Sequence, residues 1–387
     1  DLPYSADDLF VIYTGGTTGL PKGVLWRQAD IFFNLFGGHL PGFERLDTLE
    51  KLEALVGMGI GGKIVVAMPF MHGAGVGAAF NTWHRGGTIV LPDENRRLDA
   101  RSFWEAVERH RVETLMLIGD AFAVPLIERL REQRYDVSSV RVVTSTAAVL
   151  SPTVKQELVA LLPAGVLVVE SVGSTETGFQ AMSTLPGADA ARPVAFDLRE
   201  GTVLLDADRR HVLDPAARDD VGWTARTGHL PLGYLGDPDK TLETFPIVSG
   251  VRYAIAGDRA RYDEQGKLVL LGRESMCVNT GGEKVYVEEV ERVVKSHPSI
   301  RDALVVGRPS ERWGQEVTAI VSLRPGAAAP ALEELRAHCA TRLAGYKMPR
   351  AIVVAPEISY LANGKPDYAW ARKAAGGKTC CPIVIPN

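Results

Sequence analysis

Cysteine is scarce. Only Cys277, Cys339, Cys380 and Cys381 carry thiols in 387 residues, and none stands in C-x-x-C spacing. This argues against a disulfide framework or a structural metal and for a reducing compartment, the cytoplasm. Long apolar runs are lacking too. None approaches the ~20 residues that a membrane-spanning helix needs, so no membrane span is expected. Charge of one sign is nowhere concentrated: 43 Lys and Arg stand against 47 Asp and Glu, a net charge of -4. With pI about 6.1 and no basic block, nucleic acid is not an expected partner. What is present, 46% hydrophobic residues and a mean hydropathy of +0.01, describes a globular protein. A chain of 387 residues exceeds one ordinary core, so two domains are expected.

One stretch dominates: Tyr13-Thr14-Gly15-Gly16-Thr17-Thr18-Gly19-Leu20-Pro21-Lys22-Gly23. It follows the apolar run 9–12, which reads as a short buried strand opening a parallel sheet. Its glycines let backbone N–H groups approach an anion, while three threonine hydroxyls and Lys22 add donors and charge. It is not a Walker A loop, because Pro21 precedes Lys22 and Gly23 follows it. The chemistry suits a loop over a polyphosphate.

From residue 9 to about 171, β-rich runs (9–13, 64–68, 88–91, 114–118, 140–144, 166–170) alternate with helical stretches such as 100–110 and 152–161. The pattern predicts an α/β fold, a mostly parallel sheet with flanking helices. Ligands of such sheets gather at the carboxyl ends of strands, so the glycine-rich loop and Gly173-Ser174-Thr175-Glu176 are expected to face one crevice. Residues 192–271 read as a small antiparallel β region. A smaller α+β domain follows, with Val287, Val290 and Val294 on one helical stripe and Glu291 and Lys295 paired on its outer face. A second stripe, Leu332, Leu335, Cys339 and Leu343, makes Cys339 a core residue. The expected domains are therefore 1–272 and 273–375, with a tail, 376–387, to which no role is assigned.

Together these motifs resemble those of adenylate-forming enzymes, the class of acyl-CoA synthetases, luciferases and peptide-synthetase adenylation domains. The resemblance rests on six ordered motifs: Tyr13 to Gly23, Pro69-Phe70-Met71-His72-Gly73, Gly173 to Glu176, Gly257-Asp258, Gly272-Arg273 and Asn363-Gly364-Lys365. Gly281 to Val285 and Asn363 to Ala371 look most similar to acyl-CoA synthetases of bacterial fatty-acid and steroid side-chain breakdown. The resemblance implies an ATP-dependent acyl-CoA ligase acting on a hydrophobic carboxylic acid, with Mg²⁺, ATP and CoA. The alternatives are an adenylating enzyme that passes the acyl group to a carrier protein and a non-catalytic nucleotide-binding fragment.

Residue by residue, the resemblance gives Thr14, Gly15, Gly16, Thr17, Thr18, Gly19 and Lys22 the β- and γ-phosphates. Gly173, Ser174 and Thr175 take the α-phosphate side, Glu176 the metal, and Asp258 and Arg273 the ribose. His72 becomes a gate beside the acyl site. Lys365 reaches the reacting oxygens in the first step, after which a mobile small domain turns about Ser275 and brings Gly281, Gly282 and Lys284 to CoA. Local sequence alone leaves plainer readings open: Glu176 as a helix N-terminal acid, Asp258 as a turn former, Arg273 as a boundary ion pair, Lys365 as a solvated turn lysine. Family members carry a further segment before the glycine-rich loop. The chain is therefore expected to be an incomplete enzyme that exposes a sheet edge and forms homo-oligomers.

Overall fold

Short runs of Val, Ile, Leu and Thr between helices become parallel strands. The structure, a computed structural model, describes residues 3–14, 21–40, 42–146, 148, 150–190, 192, 194–216, 218, 220–361 and 364–376, and the backbone of 383–385. Residues 1–150, 154–256 and 260–269 form one compact unit, and residues 151–153, 257–259 and 270–387 a second.

The frame of the first unit is a seven-stranded sheet in the order Thr88–Val90, Lys63–Val66, Thr114–Leu117, Val142–Thr146, Leu167–Ser174, Gly178–Pro186, Asp197–Leu198. The first five strands are parallel and the last two antiparallel. Parallel strands are covered on both faces and so read as unbroken apolar runs; Val65, Leu115, Leu117 and Val143 are buried accordingly. The helix Ala100–His110 starts where Asp99 accepts from Ser102 N (2.7 Å) and stops where Arg111 turns left-handed (φ 52). It buries Phe103, Trp104 and Val107, each contributing roughly 1.5–3 kcal/mol. The Trp104 indole donates to Leu126 O (3.0 Å), fixing this helix to Gly119–Glu132.

The glycine-rich loop does not follow a strand of that sheet, which corrects the expectation. Leu9–Thr14 pairs antiparallel with Lys22–Arg27, and Lys22–Arg27 pairs with Gly233–Tyr234 in a separate three-stranded sheet. A parallel crossover takes about a dozen residues or more; residues 15–21 are too few, so the chain returns antiparallel. Nor is the first strand buried: Ile12 is, whereas Leu9, Val11 and Tyr13 are exposed. Ile12, Val24, Trp26, Ile31 and Phe245 make a second core beneath this sheet. Further along, Thr202–Leu205 pairs antiparallel with Gly222–Arg226, and Ile247–Val248 with Val251–Arg252.

The second unit is a six-stranded sheet in which Ile300–Ser310 and Ala351–Val354 flank Gly314–Leu323. Alternation sends Ala303 and Val305 to one side, against Val290, Val294, Leu335 and Cys339, and Leu304 and Val306 to the other, against Ala371 and Ala374. The backbone of Ile383–Ile385, in the tail, adds an antiparallel strand beside Ala351–Val354. Glu291 and Lys295 correct a second expectation, because neither side chain lies on an exposed outer face. Glu291 is buried and accepts from Val305 N (2.8 Å), and Lys295 pairs with Asp302 (2.9 Å). A helix packed against a strand that offers a backbone N–H and a carboxylate draws both side chains inward.

Candidate active site

In the first unit a tight turn, Thr175-Glu176-Thr177, joins the strands Leu167–Ser174 and Gly178–Pro186. Its sequence makes it rigid. Ser174 Oγ accepts from Glu176 N and Thr177 N (both 3.2 Å), and Ser174 N donates to Thr177 Oγ1 (3.1 Å). Gly178 has φ +64, and a Cβ there would lie 1.9 Å from Asn34 Oδ1. Asn34, buried at the end of the helix Gln28–Asn34, donates to Thr177 O (3.1 Å) and accepts from Phe179 N (3.1 Å). The buried Trp26 indole donates to Thr175 O (3.1 Å). Gly173 lies in the first of the two strands, at a register shift. No helix follows Glu176, so the helix-cap reading of that residue is ruled out.

Tyr234 links the turn to Lys22. Its hydroxyl donates to Glu176 Oε1 (2.8 Å), and Lys22 Nζ sits 5.6 Å from its ring centre. Burial, then the neighbouring Glu176, holds the phenol above its ordinary range, so it stays a donor. Lys22 Nζ also pairs with Asp237 Oδ2 (2.5 Å), which keeps the Asp237 carboxyl below the usual range. Asp237 caps the helix Pro238–Thr244 by accepting from Lys240 N (3.0 Å). Thr14 Oγ1 approaches Lys22 O at 3.5 Å. Half-buried His72 caps the helix Gly73–Trp83, its Nδ1 accepting from Ala74 N (3.3 Å). A Cβ on Gly73 would lie 3.3 Å from Thr175 Oγ1, so that hydroxyl stands at the start of this helix. Helix N-termini favour anions. The structure thus places Thr14, Lys22, His72, Thr175 and Glu176 in one unit, with Lys22 and Glu176 meeting at Tyr234. Gly15, Gly16, Thr17, Thr18 and Gly19 lie outside the described residues.

The second unit holds the rest. Arg273 Nε donates to Asp258 Oδ1 (3.0 Å), and Arg273 N to Glu288 Oε1 (3.3 Å). Burial pushes the Glu288 carboxyl up to about 7. Lys284 pairs with Glu274, which also faces Arg259 (3.6 Å). Burial lifts the nearby Cys277 thiol to about 12, which keeps it protonated at neutral pH. Gly281 (φ +59) and Gly282 (φ +88) form the two-residue tip of a hairpin between Val278–Thr280 and Glu283–Val285; positive φ at both tip residues is the turn whose twist matches the strands, and glycine adopts it without strain. Half-buried Lys365 follows Gly364, and its carbonyl accepts from Leu361 N (2.8 Å). Sequence reading missed Asn34, Trp26, Tyr234, Asp237 and Glu288. Only Asp237-Pro238 left a signal, the pairing of cap and first helical residue.

A family pattern described as AMP-binding enzyme matches residues 2–221. The chain belongs to that family. The C-terminal domain of these AMP-binding enzymes matches residues 289–365. The medium-chain acyl-CoA ligase Mig of Mycobacterium avium is 47% identical over 372 residues, 95% of this chain and 66% of that protein. A medium/long-chain-fatty-acid and 3-oxocholest-4-en-26-oate CoA ligase of Mycolicibacterium smegmatis is 41% identical over 379 residues, 96% and 67% of the two chains. The chain thus spans about two thirds of the length of these relatives, 66% and 67%. Among solved structures, the amide bond synthetase McbA of Marinactinospora thermotolerans superposes with TM-score 0.74 at 27% identity, covering 94% of this chain and 68% of that one. These relatives place the chain among adenylating enzymes with a mixed α/β fold.

Proposed function

We propose that this AMP-binding enzyme is an ATP-dependent acyl-CoA ligase for a hydrophobic carboxylic acid, of the medium- or long-chain or steroid side-chain kind. One observation carries the reading: Lys22 and the Thr175-Glu176 turn meet at Tyr234, with Thr175 Oγ1 at a helix N-terminus. In the first step a carboxylate oxygen of the acid attacks the α-phosphorus of ATP. The bond from that phosphorus to the β-phosphate oxygen breaks and pyrophosphate leaves. In the second, the CoA thiol attacks the acyl carbon, the acyl–oxygen bond to phosphate breaks, AMP leaves, and the thiol proton passes to water. The first step is positioning plus charge stabilisation. Lys22, Thr14 and the glycine-rich loop hold the β- and γ-phosphates, Thr175 the α-phosphate, and Asp258 and Arg273 the ribose. His72 borders the acid, and Gly281, Gly282 and Lys284 line the way for CoA. Lys365 supplies a point charge to the first step only.

Glu176 fits a magnesium ion. Among the described residues no three His, Cys, Asp or Glu side chains gather to hold a metal. Magnesium takes one or two carboxylates and fills its shell with phosphates and water, so one glutamate suffices; the ion would neutralise phosphate charge. No helix among the described residues is long and apolar enough to cross a membrane, and ATP and CoA are cytoplasmic, where we place the reaction. Exposed Leu9, Val11, Tyr13 and Leu235 support self-association, which sedimentation at rising concentration would show. The test of function is incubation with ATP, Mg²⁺, CoA and a panel of acids. An acyl-CoA product with equimolar AMP and pyrophosphate is expected. Pyrophosphate without a thioester would favour transfer to an amine or a carrier protein, and neither product would leave a nucleotide-binding module.

A further inference from the structure

Lys365 lies on the returning arm of an excursion between the strand Ala351–Val354 and the helix Tyr368–Ala375. At its neck Asp367 N donates to Ser359 O (3.1 Å), Tyr360 bridges Pro366, and Leu361 N donates to Lys365 O (2.8 Å). Two phenols tie the arms to the rest of the unit, one to the sheet and one to a helix. Tyr360 OH donates to Asp302 Oδ2 (2.7 Å) and Tyr368 OH to Glu291 Oε1 (3.0 Å). Asp302 pairs in turn with Lys295 (2.9 Å), and Glu291 Oε1 accepts from Val305 N (2.8 Å). Glu291 and Lys295 are one turn apart on the helix Val287–Lys295, and Asp302 and Val305 share the strand Ile300–Ser310. Each end of the excursion is therefore fastened, through one phenol and one carboxyl group, to the same helix and strand.

We propose that Tyr360 and Tyr368 are positioning residues that set the place of Lys365 for acyl-adenylate formation; this rests on the role proposed above for Lys365. Ordering an excursion costs entropy at every backbone residue, and a charge that must meet one developing oxyanion has little tolerance for drift. Hydrogen bonds between a hydroxyl and a carboxyl group that are sheltered from water hold their geometry better than the same bonds in water. Phenylalanine would keep the ring packing, so the hydroxyl is the part that positioning requires.

The test compares Tyr360→Phe and Tyr368→Phe in the 387-residue chain with Lys365→Ala. Each tyrosine variant is expected to slow acyl-AMP formation about tenfold in kcat, with the KM for ATP unchanged and thioester formation from preformed acyl-AMP intact. Adding either to Lys365→Ala should cost nothing more, because residues that act through one group are not additive. Independently of turnover, hydrogen exchange at the Leu361 and Gly364 amides should quicken about tenfold in the tyrosine variants, with Ile320 and Ile352 in the sheet unchanged. Losses that add to that of Lys365→Ala would overturn the proposal, as would unchanged exchange at those two amides. Wild-type adenylation in both tyrosine variants beside a crippled Lys365→Ala would overturn positioning alone. Full adenylation by Lys365→Ala would overturn the role of the lysine and this inference with it.

Discussion

At the residue scale the candidate site depends on partners that hold a few half-buried groups in place. Tyr234 holds Glu176 by a charge-assisted hydrogen bond of 2.8 Å. Such a bond contributes roughly 1.5–3 kcal/mol. Tyr234→Phe is expected to slow adenylation about tenfold and raise the Mg²⁺ needed for half-maximal rate; Glu176→Gln should do both more strongly. A magnesium titration checks this, and identical curves for all three proteins would reduce Glu176 to a turn residue. Gly178→Ala should cost at least ~2 kcal/mol, because φ is +64 and the new Cβ would lie 1.9 Å from Asn34 Oδ1. Thermal melting reads it out, and a wild-type Tm would mean that the turn yields. Lys22, Thr175 and Glu176 were conspicuous in sequence, because the chemistry of their motifs is local. Asn34, Trp26 and Tyr234 were not, since each looks like an ordinary core or helix residue until the fold brings it to the turn from far along the chain.

At the element scale, patterns with caps and period were legible and pairings were not. Ala100–His110 announces itself by Asp99 and an amphipathic stripe. Leu9–Thr14 looked like the opening strand of the parallel sheet, because an apolar run of that length does not reveal its partner. Glu291 and Lys295 looked like a surface pair, because i,i+4 spacing says nothing of what packs opposite. The helix that carries them has a consequence in pH. Burial raises Glu291 from 4.5 to about 8 and Glu288 from 4.5 to about 7, against the smaller opposing pulls of Lys295 on the first and Arg273 on the second. Between those values the folded chain holds protons that the unfolded chain has released, so stability falls as pH rises and levels off above about 8. The Tm of the second unit should therefore drop from about pH 5 to about pH 8, and Glu291→Gln should flatten the slope. A Tm that rises over that range would contradict the burial of these carboxyls.

At the scale of the whole molecule, each unit has its own core. The second buries Val290, Val294, Leu304, Val305, Ile320 and Leu335 at 0% exposure, enough apolar packing for independent folding. We expect limited proteolysis to cut near Glu274 and Ser275 and leave a stable C-terminal piece; simultaneous loss of both parts would argue for one cooperative body. On the proposed function, the chain activates an acid as its adenylate before CoA takes part. Exchange of labelled pyrophosphate into ATP tests it most directly. Exchange is expected to require a hydrophobic acid and Mg²⁺, to proceed without CoA, and to disappear in Lys365→Ala. Exchange that needs CoA, or none with any acid from a folded chain that binds ATP, would contradict it.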